Sequence, residues 1–181
     1  MRIISGIHKG RKLSPSKKLH VRPTTDRSKE ALFNILNNSF EWSEVSVLDL
    51  FSGTGSISFE FASRGVKSIT SVDQNKDCVN FINKISEDLD FKITTFKKKV
   101  IDFLNSNSKR FSIIFLDPPY IFEIKDYEKI ILKLLSDNLI SEGLIIVEHS
   151  SKIELDKIIG FKKCRKYGSN SFSFFKNKAG R

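Results

Sequence analysis

Four consecutive residues, Asp117-Pro118-Pro119-Tyr120, combine groups that could hold a planar amine. They follow the largely apolar run 111–116, which predicts a central parallel strand, so they lie at its carboxyl end. Two prolines remove two backbone donors and leave a rigid turn with accepting carbonyls. The carboxylate and carbonyls would bind an exocyclic amine while the tyrosine stacks on its ring, as with a nucleobase. A purely structural turn, with Asp117 capping a helix and Tyr120 in the core, would use the same residues.

A second candidate site is the segment 48–55, which has the sequence LDLFSGTG. It follows one predicted strand and opens a helix, so backbone amides and a helix amino terminus would meet a ligand there. Ser58 replaces the third glycine of the dinucleotide fingerprint G-x-G-x-x-G, and an acid at the strand end would repel a pyrophosphate. The segment therefore favours a cationic ligand such as S-adenosylmethionine. Its predicted binding residues are Asp49, Phe51, Gly53 and Gly55.

Further polar residues follow the next two predicted strands. Asp73 ends the second strand, where a carboxylate can accept from both hydroxyls of a ribose, and Gln74 follows it. Asp102 follows the third strand and is predicted to accept from an adenine amino group. Each acid alone is more often a helix cap or a solvated turn residue. Together with the glycine segment and Asp117, they fall on one rim of the predicted sheet.

The chain from residue 45 alternates strand and helix patterns, which is typical of a parallel α/β sheet. Strands are predicted at 45–50, 67–72, 91–96, 111–116 and 143–148, and helices at 55–64, 76–89, 100–105 and 127–136. Two further strands, 161–167 and 172–176, have only a turn between them and predict an antiparallel hairpin. We expect a basic extension at 1–41 and a catalytic domain at 42–181.

The amino-terminal segment is strongly basic. The chain has a net charge of +10, and its first thirty residues hold nine lysines and arginines against two acids. Segments 2–5 and 9–13 predict a β-hairpin that turns at Gly6, and a helix should follow from Thr25 or Asp26 to about Asn38. This charge favours a polyanionic partner, although a solvated lysine-rich surface is the alternative. The predicted RNA-binding residues are Lys9, Arg11, Lys12, Arg22 and Arg27, with Thr25 between the RNA and the cofactor.

Several classes of protein are disfavoured by the sequence. No apolar run reaches membrane-spanning length and the amino terminus lacks the apolar stretch of a secretory signal, so we expect a cytosolic protein without a membrane partner. Cys78 and Cys164 are isolated, with no C-x-x-C motif or Cys/His cluster around them. This pattern argues against a disulfide framework and against a metal site.

The chain resembles the Rossmann-like class I S-adenosylmethionine-dependent methyltransferases, and specifically the D type of the bacterial 16S rRNA guanine-N2 methyltransferases. The resemblance rests on RIISG at 2–6, GRKL at 10–13, RPTTDR at 22–27, EALFN at 30–34, DPPY at 117–120 and VE at 147–148. The glycine segment points only to a methyltransferase, and DPPY only to one that acts on an amino group. The RPTTDR block is the family-specific part.

This resemblance implies a seven-stranded, mostly parallel sheet that ends in an antiparallel hairpin. It also implies a monomeric enzyme that methylates one guanine of 16S rRNA within a complete or partly assembled small ribosomal subunit. The guanine amine would donate to Asp117 and to the Pro118 carbonyl while its ring lies against Tyr120. Alternatives are an adenine-N6 methyltransferase, a non-catalytic RNA-binding module and an NAD-dependent oxidoreductase.

Overall fold

The computed structural model describes residues 1–16, 19, 24–137 and 140–177, with backbone alone at 140–142. The predicted RNA-binding residue Arg22 lies outside these ranges. The strands are β1 (Ser46–Leu50), β2 (Ser68–Asp73), β3 (Ile93–Lys97), β4 (Phe111–Leu116), β5 (Ile140–Ser150), β6 (Phe161–Tyr167) and β7 (Asn170–Phe175). The helices are α1 (Asp26–Leu36), α2 (Ser56–Ser63), α3 (Lys76–Asp88), α4 (Val100–Ser106) and α5 (Ile124–Ser136). No helix of these described ranges is both long and apolar enough to cross a membrane.

One seven-stranded sheet has the order β3-β2-β1-β4-β5-β7-β6. The first five of these strands are parallel, and β7 runs antiparallel to both β5 and β6. The predicted fold class, including the antiparallel hairpin, is therefore confirmed. The strand order reverses between β1 and β4, and in open α/β sheets such a switch point leaves a crevice at the carboxyl ends of the strands.

The sheet is buried on both faces because its central strands are apolar at nearly every position. Alternate residues of β4 enter opposite cores: Ile113 and Phe115 pack with α1, α2 and α3, whereas Ile114 and Leu116 pack with α4 and α5. Two helix starts are fixed by side chains: Thr25 accepts from the Ser28 amide at the start of α1, and a capping box begins α5. This packing makes the carboxyl ends of β1 and β4 a rigid platform.

The amino-terminal hairpin is less regular than predicted. Its two arms share one antiparallel bridge, between Arg2 and Lys12, and a few backbone hydrogen bonds. The predicted strand 2–5 does not form because the amides of Ile4 and Ser5 donate to Glu60 of α2, at 2.8 and 3.0 Å. A strand partner cannot use these donors, so the first arm is docked on α2 instead of being paired along its whole length.

A buried ion pair holds the start of the chain on the domain. The ammonium of Lys29 lies 3.7 Å from a Glu60 carboxylate oxygen and donates to the Arg2 carbonyl over 2.6 Å and to Ser56 over 3.2 Å. Burial lowers the pKa of Lys29, against the opposing effect of Glu60. Lys29 belongs to the basic cluster by sequence, but the structure buries it. It is therefore unavailable to a polyanion.

Candidate active site

A cleft of about 660 Å³ opens at the carboxyl ends of β1, β2, β4 and β5. Its walls come from the β1–α2 segment, the end of β2, the start of α4 and the turn after β4. Thr24 and Thr25 before α1 close one side, and Glu148 and Asn170 contribute from β5 and β7. The cleft thus lies at the switch point of the sheet. The volume falls in the usual range of small-molecule and cofactor sites.

The β1–α2 segment turns through left-handed backbone conformations. Phe51 has a φ of 59° and Gly53 a φ of 52°. Such a conformation is strained for phenylalanine, and strain of this kind is concentrated at functional sites. The Phe51 ring packs edge-on against Phe122, with centroids 5.5 Å apart, and both rings line the cleft. This contact joins the glycine segment to the turn after β4.

Gly55 has a packing role that the sequence did not predict. It also has a positive φ, 76°, but it is not among the described residues that line the cleft. A Cβ on Gly55 would lie 2.8 Å from Cγ1 of Ile82 and 3.2 Å from the Phe59 ring. The absence of a side chain therefore lets α2 approach α3.

Asp49 lies at the base of the cleft and is almost fully buried. Ser58 donates to its carboxylate over 2.5 Å and lies 2.7 Å from the Ser71 hydroxyl. Burial raises the pKa of Asp49 to about 7, and Asp73 adds to this shift while the hydrogen bonds from Ser58 oppose it. A cation in the cleft would offset the cost of ionising this carboxyl. The acidic groups at the base of the cleft therefore fit a ligand with positive charge.

Asp73 is held rigidly at the end of β2. One carboxylate oxygen accepts from the Gly53 amide and the other from the Asn75 amide, each over 2.8 Å. Each oxygen keeps a further lone pair, so the group can still accept from two hydroxyls. Gln74 follows on the exposed rim and also lines the cleft.

The wall next to α4 differs from the prediction. Asp102 lies in the first turn of α4, is exposed and is not among the described lining residues. Lys99, Val100 and Ile101 line the cleft instead. The helix begins one residue after Lys99, and its first turn directs Val100 into the core and Asp102 to the surface. This geometry corrects the prediction that Asp102 holds an adenine.

The turn after β4 faces the glycine segment across the cleft. Asp117 continues the sheet, since its amide donates to the Leu50 carbonyl of β1 over 3.3 Å. Pro118 is buried, Pro119 accepts from the Phe122 amide, and Tyr120 is 59% exposed at the rim. All four residues of the motif line the cleft.

Burial raises the pKa of the Asp117 carboxyl well above its ordinary range, and the carboxylates of Glu148 and Asp49 raise it further. The turn therefore presents a carboxyl group with a raised pKa beside an accessible aromatic ring.

Glu148 and Asn170 also line the cleft, although their sequence context predicts no role for either residue. Glu148 is 3% exposed and accepts from Thr24 over 2.8 Å and from Asn170 over 2.7 Å. The pair Val147-Glu148 carried part of the resemblance, but no role followed from it. The position of Glu148 at the end of the predicted strand 143–148 indicates its location, because the carboxyl ends of parallel strands share one rim, where Asp117 also lies.

The predicted RNA-binding residues lie outside the cleft. Lys9, Arg11 and Lys12 are exposed on the hairpin, and Arg27 is exposed in the first turn of α1. The hairpin lies along α2: Met1 contacts Thr54 at the cleft end, and Ile7 donates to the Ser63 carbonyl at the other end. These charges therefore extend from the cleft down one side of the molecule.

Comparison with known proteins agrees with this arrangement. A family model described as Conserved hypothetical protein 95 matches residues 1–176. A ribosomal RNA small subunit methyltransferase D of Haemophilus influenzae is 36% identical over 159 residues, which cover 84% of this chain and 79% of that protein. The chain belongs to this family. The family predicted from the glycine segment, the RPTTDR block and the DPPY turn is confirmed.

Solved structures share the fold of the family. A hypothetical protein of Thermus thermophilus superposes with a TM-score of 0.84 at 23% identity, over 97% of this chain and 99% of that one. An RNA methyltransferase of Salinibacter ruber, solved with S-adenosyl-L-homocysteine, superposes with a TM-score of 0.69 at 11% identity, over 88% and 96% of the two chains. The architecture is thus retained at low sequence identity.

Proposed function

We propose that this protein transfers a methyl group from S-adenosylmethionine to the N2 amine of one guanine in 16S rRNA of the small ribosomal subunit. We propose further that it acts as a monomer in the cytoplasm, where that RNA is assembled. The observation that carries the proposal is the presence of two half-sites in one cleft. A rigid acidic cradle on β1 and β2 faces an Asp-Pro-Pro-Tyr turn on β4.

The first half-site fits the cofactor. When bound, S-adenosylmethionine supplies a methyl group activated by a sulfonium. Asp49 offers a buried carboxyl to the positive charge, and the Gly53 backbone lets the ligand approach closely. The fixed carboxylate of Asp73 has the geometry to accept from ribose hydroxyls. Family membership supports the same assignment.

The second half-site fits the amine. Asp117 and the Pro118 carbonyl would accept its two hydrogens, and Tyr120 would stack on a base extruded from the RNA. The amine held by Asp117 and Pro118 would receive the methyl group that the bound cofactor supplies, with the electron pair of the carbon–sulfur bond left on sulfur, and the nitrogen would then lose one proton. Asp117 can take this proton because its raised pKa makes it a stronger base than an ordinary aspartate. Alignment of the reacting groups can contribute about 7–11 kcal/mol to such a step.

The exposed bases of the amino-terminal segment would contact phosphates. Lys9, Arg11, Lys12 and Arg27 are available on one side of the molecule, and Arg22 belongs to the same basic segment by sequence. We propose that residues 1–41 form the RNA-binding extension of a methyltransferase domain at 42–181. Such contacts would orient the RNA without reading its sequence.

The test is methyl transfer from labelled cofactor to small subunits and to naked 16S rRNA, both from a strain that lacks this modification. A nucleoside digest should then show N2-methylguanine, whereas N6-methyladenine would identify the closest alternative activity. The Asp117→Asn variant should bind the cofactor normally and lose at least about a hundredfold in turnover, since a positioned proton acceptor contributes about 10²–10⁴-fold. Wild-type turnover in that variant would remove Asp117 from the mechanism.

A further inference from the structure

Glu148 is a buried carboxylate in the wall of the cleft, and the mechanism above gives it no role. Glu148 is only 3% exposed, yet it borders the part of the cleft beside the Asp-Pro-Pro-Tyr turn. Burial of a carboxylate away from water costs free energy unless the group is hydrogen-bonded. Thr24 and Asn170 donate to it from two distant parts of the chain, the segment before α1 and the start of β7. The fold therefore fixes the position of this group from two sides.

The sheet register sets Glu148 beside Asp117. Leu116 of β4 pairs with Val147 of β5, so Asp117, which directly follows β4, lies beside Glu148, the next residue of β5. Both line the same cleft. The influence of Glu148 on the pKa of Asp117 agrees with this proximity. A ligand group that meets Asp117 therefore has a second carboxylate next to it.

Thr24 and Asn170 do not use up the hydrogen-bonding capacity of Glu148. Thr24 donates to one carboxylate oxygen and Asn170 to the other. An ionised carboxylate has about four acceptor positions, so it can accept another hydrogen bond while both of these are kept.

The edges of the two purines differ beside the amine. Guanine presents two neighbouring donors, the N2 amine and the N1–H. Adenine presents its amine beside an N1 that carries a lone pair. Two adjacent carboxylates match two adjacent donors, whereas a carboxylate facing an N1 lone pair would be repelled. The Asp117–Glu148 pair is therefore complementary to guanine.

We propose that Glu148 accepts the N1–H hydrogen bond of the target guanine and thereby selects guanine over purines whose N1 is an acceptor. This assignment rests on the proposed guanine-N2 activity. Thr24 and Asn170 are positioning residues, because they act by holding the Glu148 carboxylate. The segment before α1 would then take part in base selection as well as in RNA binding.

The decisive substrate carries 2-aminopurine in place of the modified guanine, in an RNA assembled from a synthetic fragment. This base keeps the 2-amine but has a lone pair at N1. We expect wild-type protein to methylate guanine about 10- to 100-fold faster, in kcat/KM, than 2-aminopurine, because a buried acceptor would face an acceptor. Equal rates on the two bases would overturn the proposal and leave guanine methylation itself intact.

The variant test uses Glu148→Gln, whose amide can donate to an N1 lone pair. Its guanine rate should fall and its 2-aminopurine rate should hold or rise, so that the preference falls to about threefold or less, a loss within the range of one hydrogen bond. Glu128→Gln, the same change at an exposed site on α5, should keep the wild-type preference. Calorimetry with S-adenosylmethionine checks that Glu148→Gln is folded.

A wild-type preference that persists in folded Glu148→Gln protein would overturn the assignment. If Glu148→Gln does not fold, Glu148→Asp takes its place: it should keep the preference for guanine at a lower rate, and loss of the preference would contradict the proposal. Absence of methyl transfer to any guanine would instead refute the underlying activity, which separates the two failures.

Discussion

Asp49 has two opposing effects at the scale of a single residue. Its pKa near 7 means that the folded protein holds a proton that the unfolded chain would release near pH 4. The associated stability is complete below pH 4 and is lost as the pH rises to about 7. Burial of this carboxyl thus lowers stability at neutral pH, and its ionised form is the one that would favour a cationic ligand.

We therefore expect the affinity for S-adenosylmethionine to increase with pH. If only ionised Asp49 binds the cation, the association constant should rise about tenfold between pH 6 and pH 8. Asp49→Asn should bind more weakly and without this change, and at pH 8 it should be more stable than wild type by at most about 4 kcal/mol. Calorimetric titration and thermal unfolding at both pH values measure these quantities. A pH-independent wild-type affinity would contradict the expectation.

Residue positions were predictable from sequence where a strand end alone places a side chain. Asp49, Asp73 and Asp117 line the cleft because acids at or just after the carboxyl ends of parallel strands share one rim. The position of Asp102 was not predictable in this way, because it depends on which side of the short helix α4 residue 102 occupies. Glu148 and its partner Thr24 are 124 residues apart, so only the register and the path of the first segment reveal their contact.

At the scale of an element, two glycines of the amino-terminal hairpin allow the cost of backbone strain to be measured apart from the cost of a packing clash. Gly6 and Gly10 have nearly the same φ, 83° and 84°. A Cβ on Gly6 would lie 1.8 Å from the Ser63 carbonyl oxygen, whereas a Cβ on Gly10 would meet nothing within 4 Å. Gly6 therefore has a packing requirement that Gly10 lacks.

Gly10→Ala should cost about 1–2 kcal/mol, the penalty of a left-handed conformation alone. Gly6→Ala should cost more, because the first arm of the hairpin must move away from α2 and lose its hydrogen bonds to Glu60 and Ser63. Chemical denaturation of both variants gives the difference, and protease cleavage within the first fifteen residues should increase only for Gly6→Ala. Equal stabilities would show that the hairpin does not dock on α2 as described.

The hairpin also shows why element boundaries were harder to predict than elements. The strands and helices from β1 to β7 follow from apolar periodicity, and most ends agree within a few residues. The hairpin arms were too short for periodicity to decide. Their amides bond to a side chain of α2, Glu60, and no local pattern indicates such a partner.

Charge acts at the scale of the whole molecule. The triple variant Lys9→Gln, Arg11→Gln, Lys12→Gln should weaken binding to the small ribosomal subunit and reduce the salt dependence of binding. Each lost phosphate contact should reduce the slope of log K against log salt by about 0.7–0.9. Cofactor affinity should be unchanged, because none of the three lines the cleft. Filter binding at several salt concentrations measures the effect.

A matched control removes the same charges elsewhere. Arg110, Lys157 and Lys162 are exposed and lie away from the hairpin, at the amino ends of β4 and β6 and in the segment between β5 and β6. Their replacement by glutamine should change the slope little. Equal losses in both triple variants would mean that the overall charge, and not a defined face, attracts the RNA.

The Lys29–Glu60 pair has a consequence for any attempt to cut or graft this enzyme. Removing the first forty-one residues would delete the Lys29 ammonium and the amides of Ile4 and Ser5, and the buried Glu60 carboxylate would keep only Arg64 of these partners, which should destabilise the fold. It would also delete Thr24 and Thr25 from the wall of the cleft. Residues 1–41 therefore belong to the folded unit and cannot be removed or transferred separately. A chimera that contains the sheet of this chain must also contain these residues.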